Sequence, residues 1–306
     1  MPRFRPRVKD WLGRSPLRRI VVYRRHRTLR PTDRFLASYP KSGNTWLRHV
    51  LTHCLTGLHT QWQSPFLEYS IIVGRHHDLV PVFPGQGRMI KTHEPFHPSY
   101  MRSVLLIRDP RDVAVSQFHF NKQYSAREIF RRCDFDQFLD LFLSGKSCVY
   151  SDWGSHTRSW LPSIDRGDTL VIRYEDMRAD PDATLHSVLD FFEIDVPAER
   201  FRAAIDDNTA TRMREKEKEY RQSIAAQEPA SNEDSASASN PTRGVTAESQ
   251  RVFVRQAKSG GWKDLFTPGL LDRLTDAYGD LMQRFGYLET NAAADPASNT
   301  ACTTRQ

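Results

Sequence analysis

The stretch that decides the fold is residues 35–57, FLASYPKSGNTWLRHVLTHCLTG. Its first five residues are mostly apolar and predict a short buried strand. A Pro-Lys-Ser-Gly turn follows, and apolar side chains then recur at helical spacing until Gly57 stops the run. The segment is therefore predicted to run strand, loop, helix.

The loop between this strand and helix has the features of an anion-binding site. Backbone N–H groups that converge at a helix N-terminus bind phosphate or another anion. Lys41 adds a positive charge, Gly43 permits close backbone approach, and Asn44 and Thr45 offer side-chain donors. The Walker A pattern is absent, because the lysine here precedes the glycine. Taken alone, the loop is also compatible with a helix cap that holds no ligand.

Two further strand-to-helix units follow in the sequence. Residues 104–107 form an all-apolar strand that breaks at Arg108-Asp109-Pro110 and continues as a helix near 110–121. Residues 169–172 form another strand, after which Asp180 suits an N-cap and Pro181 the first turn of an amphipathic helix.

Shorter segments complete the predicted order of elements. We predict a strand at 89–91 and helices near 135–143, 153–161 and 268–285. Apolar strands that alternate with helices indicate an α/β fold: one domain with three α/β/α layers around a central parallel sheet, P-loop-like. Ligands of such folds bind beyond the carboxyl ends of the strands.

Charge and composition divide the chain unevenly. Residues 1–34 hold twelve Lys/Arg and two Asp, a formal charge of +10 in a chain whose total is +7. We therefore expect a basic N-terminal arm at 1–32, a domain at 33–288 with a mobile loop at about 215–250, and a disordered tail at 289–306. The arm is either a solvated or loosely docked tail or a patch for anionic lipid, nucleic acid or an acidic substrate.

The bulk properties exclude several classes of protein. The four cysteines are scattered without a CxxC pair, which argues against a zinc site and a disulfide framework. No apolar run approaches the roughly 20 residues of a membrane span, and no early stretch matches a signal-peptide core. We expect a cytoplasmic protein with reduced thiols.

Four ordered motifs together resemble the cytosolic-type, PAPS-dependent sulfotransferase family, of which this chain looks like a divergent, bacterial-like member. Tyr-Pro-Lys-Ser-Gly-x-Thr-Trp at 39–46 resembles its 5′-phosphosulfate loop, and Lys-Thr-His at 91–93 its acceptor-site motif. Residues 108–116 (RDPRDVAVS) resemble its 3′-phosphate segment, and 255–263 (RQAKSGGWK) its C-terminal basic segment. The resemblance covers about residues 33–288.

That resemblance implies sulfuryl transfer from 3′-phosphoadenosine 5′-phosphosulfate (PAPS), with no metal, to a hydroxyl or amine of a small-molecule acceptor. It assigns the 5′-phosphosulfate to Lys41, Ser42, Gly43, Asn44 and Thr45.

Further donor contacts follow from the same resemblance. Trp46 is expected to stack on adenine, and Arg108 and Ser116 to clamp the 3′-phosphate. The remaining assigned donor contacts are Tyr174, Thr209, Arg255, Gln256 and Ala257. For several of these the ordinary readings stay open: core packing for Trp46 and Tyr174, a plain helix residue for Ser116 and an ion pair with Asp109 or Asp112 for Arg108.

His93 is the implied general base, since a neutral imidazole can take the proton of the attacking hydroxyl. Lys91 lies two residues earlier on an extended segment and faces the same side. With Lys41 it is expected to stabilise the transition state. Glu94 is an alternative base, because related sugar sulfotransferases use glutamate.

The chain also departs from the family pattern. Asn44 replaces the usual Thr, Gln256-Ala257 replaces Lys-Gly, and Pro268 and Asp272 interrupt the usual dimerisation motif. We therefore expect a monomer, or a dimer that does not use that motif.

Two other function classes compete with the sulfotransferase. A P-loop kinase would need the Walker A lysine and a Mg²⁺-binding carboxylate at a strand end. A non-enzymatic anion- or nucleic-acid-binding module would leave His93 unexplained. No specific nucleic acid partner is predicted.

The acceptor itself is not readable from the sequence. The loops at 60–87 and 212–250 are expected to build its site. The side chains proposed to line it, for which ordinary packing is the alternative, are Phe66, Tyr69, His76, His77 and Phe83.

Overall fold

The structure is a computed structural model and describes residues 18–62, 69–227 and 259–288. Its centre is a parallel sheet in the order β2-β1-β3-β4. The strands are β1 (Arg34–Ser38), β2 (Met89–Thr92), β3 (Ser103–Ile107) and β4 (Thr169–Arg173). Parallel pairing sets Leu36 beside Lys91 and Val104, so all four strands end at one edge. The predicted α/β fold with a central parallel sheet is confirmed.

Helices connect the strands. The helices up to β4 are α1 (Arg18–His26), α2 (Asn44–Thr56), α3 (Pro110–Tyr124), α4 (Glu128–Arg132), α5 (Phe135–Leu143) and α6 (Trp153–Asp165). Those that follow are α7 (Tyr174–Ala179), α8 (Pro181–Phe192), α9 (Ala198–Asp207), α10 (Ala210–Gln227) and α11 (Pro268–Arg284). Short 3₁₀ turns occupy His76–Asp78, Pro84–Gln86 and Gly261–Asp264.

Successive side chains of each strand point to opposite faces of the sheet, and a hydrophobic core lies on each face. Leu36 of β1 packs with Val104 and Leu106 of β3 against α2, α8 and α9. Phe35, whose side chain lies on the opposite face of the sheet, packs instead with residues such as Trp160 of α6. Both faces of the sheet are buried, which explains the continuous apolar runs of the strands.

The start of α8 is capped as the sequence predicted, and α5 has a cap that was not predicted. The Asp180 side chain accepts a hydrogen bond from the Ala183 N–H, and Pro181 occupies the first turn of α8. The Asp134 side chain and Gln137 form a reciprocal capping box at α5.

Residues 210–227 differ from the expected loop. They form α10, which begins with the Thr209 hydroxyl accepting a hydrogen bond from Arg212 N–H at 3.3 Å. Lys, Glu, Arg and Ala are strong helix formers, and α10 buries Met213 and Glu217 on one face. The expectation of a mobile loop was therefore wrong for residues 215–227, which include the alternating Glu and Lys of 215–219. The rest of the expected mobile loop lies outside the described residues, as does the expected tail.

The part of the basic arm that the structure describes packs onto the domain. His26 is buried and lies 2.7 Å from the Tyr100 hydroxyl. Arg25 forms an ion pair with Glu94 at 3.1 Å. Asp33 and Arg88, both buried, form a further ion pair at 2.7 Å. Across residues 18–62, 69–227 and 259–288, no helix has the length and apolarity that crossing a membrane requires.

Candidate active site

A cavity of about 600 Å³ lies where the four strands end. Lys41 follows β1, His93 follows β2, Arg108 follows β3 and Tyr174 follows β4, and all four line this cavity. The volume falls in the range of about 300–1,000 Å³ typical of small-molecule sites. The sheet topology thus brings together residues that are up to 133 positions apart in the sequence.

The cavity wall contains most of the residues that the sequence assigned to donor binding and catalysis. Those that line it are Lys41, Gly43, Asn44, Thr45, Trp46, Lys91, His93, Arg108, Ser116, Tyr174 and Thr209. Ser42 is buried and is not part of the described wall. Arg255, Gln256 and Ala257 lie outside the described residues.

Gly43 shapes the loop between β1 and α2. Its φ is +96°, which L side chains rarely adopt, and a Cβ there would lie 2.5 Å from the ring of Tyr174. Only glycine therefore fits both the backbone conformation and the close approach of Tyr174. The Lys41 backbone is left-handed as well, with φ +72°. The loop turns tightly between β1 and the first turn of α2.

Cations gather beside this loop. The ammonium of Lys41 lies 4.3 Å from the ring centroid of Phe120. Arg108 donates a hydrogen bond to the Lys41 carbonyl at 3.2 Å, and its guanidinium stacks on Tyr174 at 4.4 Å. These contacts hold two positive charges at one wall of the cavity, as binding of an anion requires.

His93 is fixed in one tautomer. Its Nδ1 lies 2.6 Å from the backbone oxygen of Ser38. A carbonyl oxygen can only accept, so Nδ1 carries the proton and Nε2 keeps its lone pair. Burial lowers the pKa of His93 well below its usual 6.5, Lys91 adds to this, and the bond to Ser38 opposes it. The imidazole is therefore neutral at pH 7 and equipped to accept a proton through Nε2.

Lys91 lies close to other cations. Burial, followed by the charges of Arg48 and Lys41, lowers its pKa to about 7. An anion that enters the cavity would stabilise the charged amine and raise that pKa again. Lys91 is thus poised to gain a proton when an anion binds.

Trp46 and Thr209 belong to another wall. The indole N–H of Trp46 donates to the backbone oxygen of Asn208, next to Thr209 at the start of α10. Trp46 and Thr209 both line the cavity, and Thr209 is exposed. The expected contacts of the two residues with adenine stay predictions.

Asn44 has a structural contact that the sequence did not predict. Its side-chain amide donates to the Leu36 oxygen at 3.1 Å, so this N–H group points to the strand. The buried Asn44 Oδ1 and Ser42 Oγ have no hydrogen-bond partner among the described residues. The donor contacts of both side chains stay predictions.

Aromatic residues that the sequence analysis missed form the remaining wall. Phe120 and Tyr124 of α3 line the cavity together with Tyr150, whose ring centroid lies 5.5 Å from that of His93. Ser116, Phe120 and Tyr124 are spaced four residues apart, so they form one stripe on α3. This helical spacing was the signal that could have identified them.

Most of the side chains proposed for the acceptor site lie elsewhere. His76 and His77 both contact the Thr28 hydroxyl, and Phe83 packs against Phe192. Tyr69 is not part of the described cavity wall, and Phe66 lies outside the described residues. Met213, in the second loop expected to build the site, does line the cavity. His76 and His77 thus make hydrogen bonds to Thr28, and Phe83 packs in the core.

Glu94 points away from this wall. Its carboxylate pairs with Arg25 at 3.1 Å, and its backbone N–H donates to Thr92. It does not belong to the described lining, so the site brings His93 and not Glu94 to the cavity.

Asp112 connects the cavity to the C-terminal part of the domain. Its carboxylate accepts hydrogen bonds from the N–H groups of Gly260 at 2.8 Å and Trp262 at 3.0 Å. It also lies 3.8 Å from the Arg108 guanidinium. Asp112 therefore anchors the chain directly after the predicted donor-binding residues 255–257.

Comparison with known proteins identifies the family to which this chain is similar. The family model described as the sulfotransferase domain matches residues 31–286. Sulfotransferase 1 family member D1 of Rattus norvegicus is 25% identical over 277 residues, which cover 83% of this chain and 84% of the relative. Flavonol 4′-sulfotransferase of Flaveria chlorifolia is 25% identical over 261 residues, covering 80% and 77%.

A solved structure shares the fold. Retinol dehydratase, in complex with androsterone and the inactive cofactor PAP, superposes with a TM-score of 0.62 at 19% identity, covering 85% of this chain and 83% of that one. Because the sulfotransferase domain model extends over most of the chain and confirms the resemblance carried by the four motifs, this protein belongs to the sulfotransferase family.

Proposed function

We propose that this sulfotransferase transfers a sulfuryl group from PAPS to a hydroxyl, or an amine, of a small-molecule acceptor. The observation that carries the proposal is the convergence of Lys41, Lys91, His93 and Arg108 on one cavity, with His93 held as the Nδ1–H tautomer. PAPS is the expected donor because the phosphosulfate-loop and 3′-phosphate motifs both lie in that cavity, and the related fold of retinol dehydratase was solved with PAP.

The reaction balances as an in-line displacement at sulfur. The acceptor oxygen attacks sulfur while Nε2 of His93 takes its proton, and the bond between sulfur and the phosphate oxygen breaks. The negative charge that grows on the leaving phosphate is stabilised by the Lys41 and Lys91 ammonium groups. Arg108 and Ser116 hold the 3′-phosphate, and Trp46 stacks on the adenine with Tyr174 and Thr209 close by.

An aromatic or alicyclic alcohol is the acceptor class that we favour. Phe120, Tyr124 and Tyr150 line the same cavity as His93, and the ring centroid of Tyr150 lies 5.5 Å from that of His93. Such rings bind flat apolar molecules, and a single hydroxyl would then be oriented towards Nε2. Flavonol 4′-sulfotransferase is named for an aromatic alcohol, and retinol dehydratase was solved in complex with androsterone, a steroid alcohol.

Domain limits and location remain proposals. We place the sulfotransferase domain at residues 33–288 and expect a cytoplasmic protein that acts as a monomer or as a dimer without the usual motif. The contact of residues 1–34 with anionic membranes also stays a prediction.

The test measures transfer and donor binding separately. Purified protein is incubated with ³⁵S-labelled PAPS and a panel of a flavonol, a steroid alcohol, an aryl amine and a saccharide, with labelled ATP as a second donor. PAP binding is measured by calorimetry. Transfer from PAPS with PAP affinity is expected; phosphoryl transfer from ATP, or no affinity for PAP, would overturn the proposal.

Variants locate the donor site. Lys41→Ala and Arg108→Ala should each weaken PAP binding, since each removes a charged partner of a phosphate. Lys122→Ala is the matched control, because Lys122 lies on α3, is exposed and is not part of the described cavity wall. Equal losses in Lys122→Ala would show a general charge effect instead of a site.

A further inference from the structure

Two histidines and a carboxylate meet outside the cavity. His53 lies in the last turn of α2, His59 in the loop that follows, and Asp207 is the last residue of α9. None of them belongs to the described cavity wall. The proposed sulfuryl transfer uses none of these three side chains.

The backbone brings the two histidines together. Gly57 ends α2 in the left-handed region with φ +70°, and its N–H bonds back to the His53 carbonyl at 2.8 Å. The chain therefore reverses between the histidines, and their ring centroids lie 4.9 Å apart. Helix α9 packs on α2 and supplies Asp207 from its C-terminal end.

The distances suit coordination of a single ion. Oδ2 of Asp207 lies 3.4 Å from Nδ1 of His53 and 3.6 Å from Nδ1 of His59. Two ligand atoms about 2.0–2.1 Å from zinc in a tetrahedral site are about 3.4 Å apart. All three ligand atoms lie within 4.8 Å of one another.

His53 supplies an independent observation. The residue is 2% exposed, and within the described part of the chain its Nδ1 makes no hydrogen bond, although it points at Asp207. A buried polar nitrogen without a partner costs free energy that a ligand can recover. A metal ion would bind the Nδ1 atom of His53, which makes no hydrogen bond within the described part of the chain.

Lys216 competes for the same carboxylate. Its ammonium donates to Oδ2 of Asp207 at 2.8 Å and to Asn208 at 3.1 Å. A cation thus already compensates the charge of Asp207. If the cluster is a metal site, removal of Lys216 should strengthen metal binding. If the cluster is only a set of ion pairs, the same change would leave Asp207 unpaired and no metal would bind.

We propose that His53, His59 and Asp207 form a binding site for a divalent transition-metal ion of the zinc class. Two imidazoles and a carboxylate are the ligand types that such ions take, and this set leaves a coordination position for water. The ion would fasten the 57–60 loop to α9.

The test uses the untagged full-length protein and metal alone. Co²⁺ is titrated while its visible absorption bands are recorded, and Zn²⁺ is then added as a competitor. We expect one equivalent of Co²⁺ to bind with the spectrum of a nitrogen- and oxygen-ligated ion and to be displaced by Zn²⁺.

Variants decide whether these residues are the ligands. His59→Ala and Asp207→Asn should each weaken Co²⁺ binding at least about tenfold, the smallest loss expected even for an outer-shell partner. His59 is 80% exposed, so its removal leaves folding intact. Lys216→Gln should instead bind Co²⁺ more tightly. His186→Ala is the matched control, since His186 and Asp182 form an exposed pair at 3.8 Å on α8.

Each outcome bears on the proposal. Selective loss in His59→Ala and Asp207→Asn, with a gain in Lys216→Gln, supports it. Wild-type affinity in His59→Ala, an equal loss in His186→Ala, or no Co²⁺ spectrum in the wild-type protein overturns it.

Discussion

The Nδ1–H of His93 donates to the backbone oxygen of Ser38 across 2.6 Å, so the last residue of β1 sets the tautomer of a histidine that follows β2. Neighbouring parallel strands end together, so the backbone oxygen of Ser38 lies beside the His93 ring. The bond therefore does not depend on the Ser38 side chain. The ring is oriented by the sheet itself, and Nε2 keeps the lone pair that the proposed proton transfer uses.

His93→Ala should abolish turnover and leave PAP binding unchanged. General base catalysis contributes a factor of about 10²–10⁴, and the donor contacts lie on other residues. Single-turnover rates and calorimetry of PAP measure the two effects. An active His93→Ala variant would exclude His93 as the base. The wild-type rate should also persist below pH 6.5, since burial lowers the pKa of His93 and its neutral form is retained.

Lys91→Met should remove a pH dependence of PAP binding. Burial and neighbouring cations lower the pKa of Lys91 to about 7 in the empty site. Below that pH the Lys91 amine is charged and attracts anions. Above that pH the amine is neutral, and PAP binding is coupled to the uptake of a proton by Lys91. The affinity of the wild-type protein should then fall by up to about tenfold per pH unit above pH 7.

Calorimetry in buffers of different ionisation heat measures this proton uptake. Titration of the PAP phosphates is common to both proteins, so the difference between wild type and Lys91→Met isolates the amine. Identical pH profiles in the two proteins would contradict the assignment to Lys91.

Gly43→Ala should destabilise the loop and weaken PAP binding. The left-handed conformation alone costs a residue other than glycine about 1–2 kcal/mol, and the new methyl would collide with Tyr174. Gly269→Ala is the control, because its φ is ordinary and a methyl group added there would meet no atom within 4 Å. That variant should be stabilised by about 0.4–1 kcal/mol. Thermal unfolding with and without PAP compares them, and equal behaviour would refute the role of Gly43.

Asp112→Ala should release the chain at residues 260–262. Hydrogen bonds to a charged group contribute about 1.5–3 kcal/mol each, and the variant loses two of them. Hydrogen exchange at Gly260 and Trp262 should accelerate, and PAP binding should weaken as the anchored segment loosens. Asp134→Ala removes a helix cap at a cost of about 1 kcal/mol and serves as the stability control. Equal PAP affinity in both variants would make Asp112 a purely structural residue.

The strands were predictable because both faces of the sheet are buried, and such strands consist of continuous apolar runs. Residues 104–107 are an example. The tight turn at Gly43 was predictable from local residue types, and its use as an anion site stays a prediction. The contact of Gly43 with Tyr174 was not, because it joins positions 131 residues apart through the order of the strands.

Helix α10 was missed for a different reason. Its alternating charges are typical of a solvated segment, and only tertiary packing shows that Met213 and Glu217 are buried. The position of Glu94 was also beyond the sequence. Its partner Arg25 lies in a segment that composition alone described as a basic arm.

One helix serves both substrates of the proposed reaction. Along α3 the stripe begins with Ser116, assigned to the donor, and continues through Phe120 and Tyr124, assigned to the acceptor wall. Substitutions in the second half of the helix can therefore change the acceptor specificity while the residues that bind the donor stay the same. Evolution, or a designer, could diversify this enzyme by exchanging two aromatic rings on a backbone that need not move.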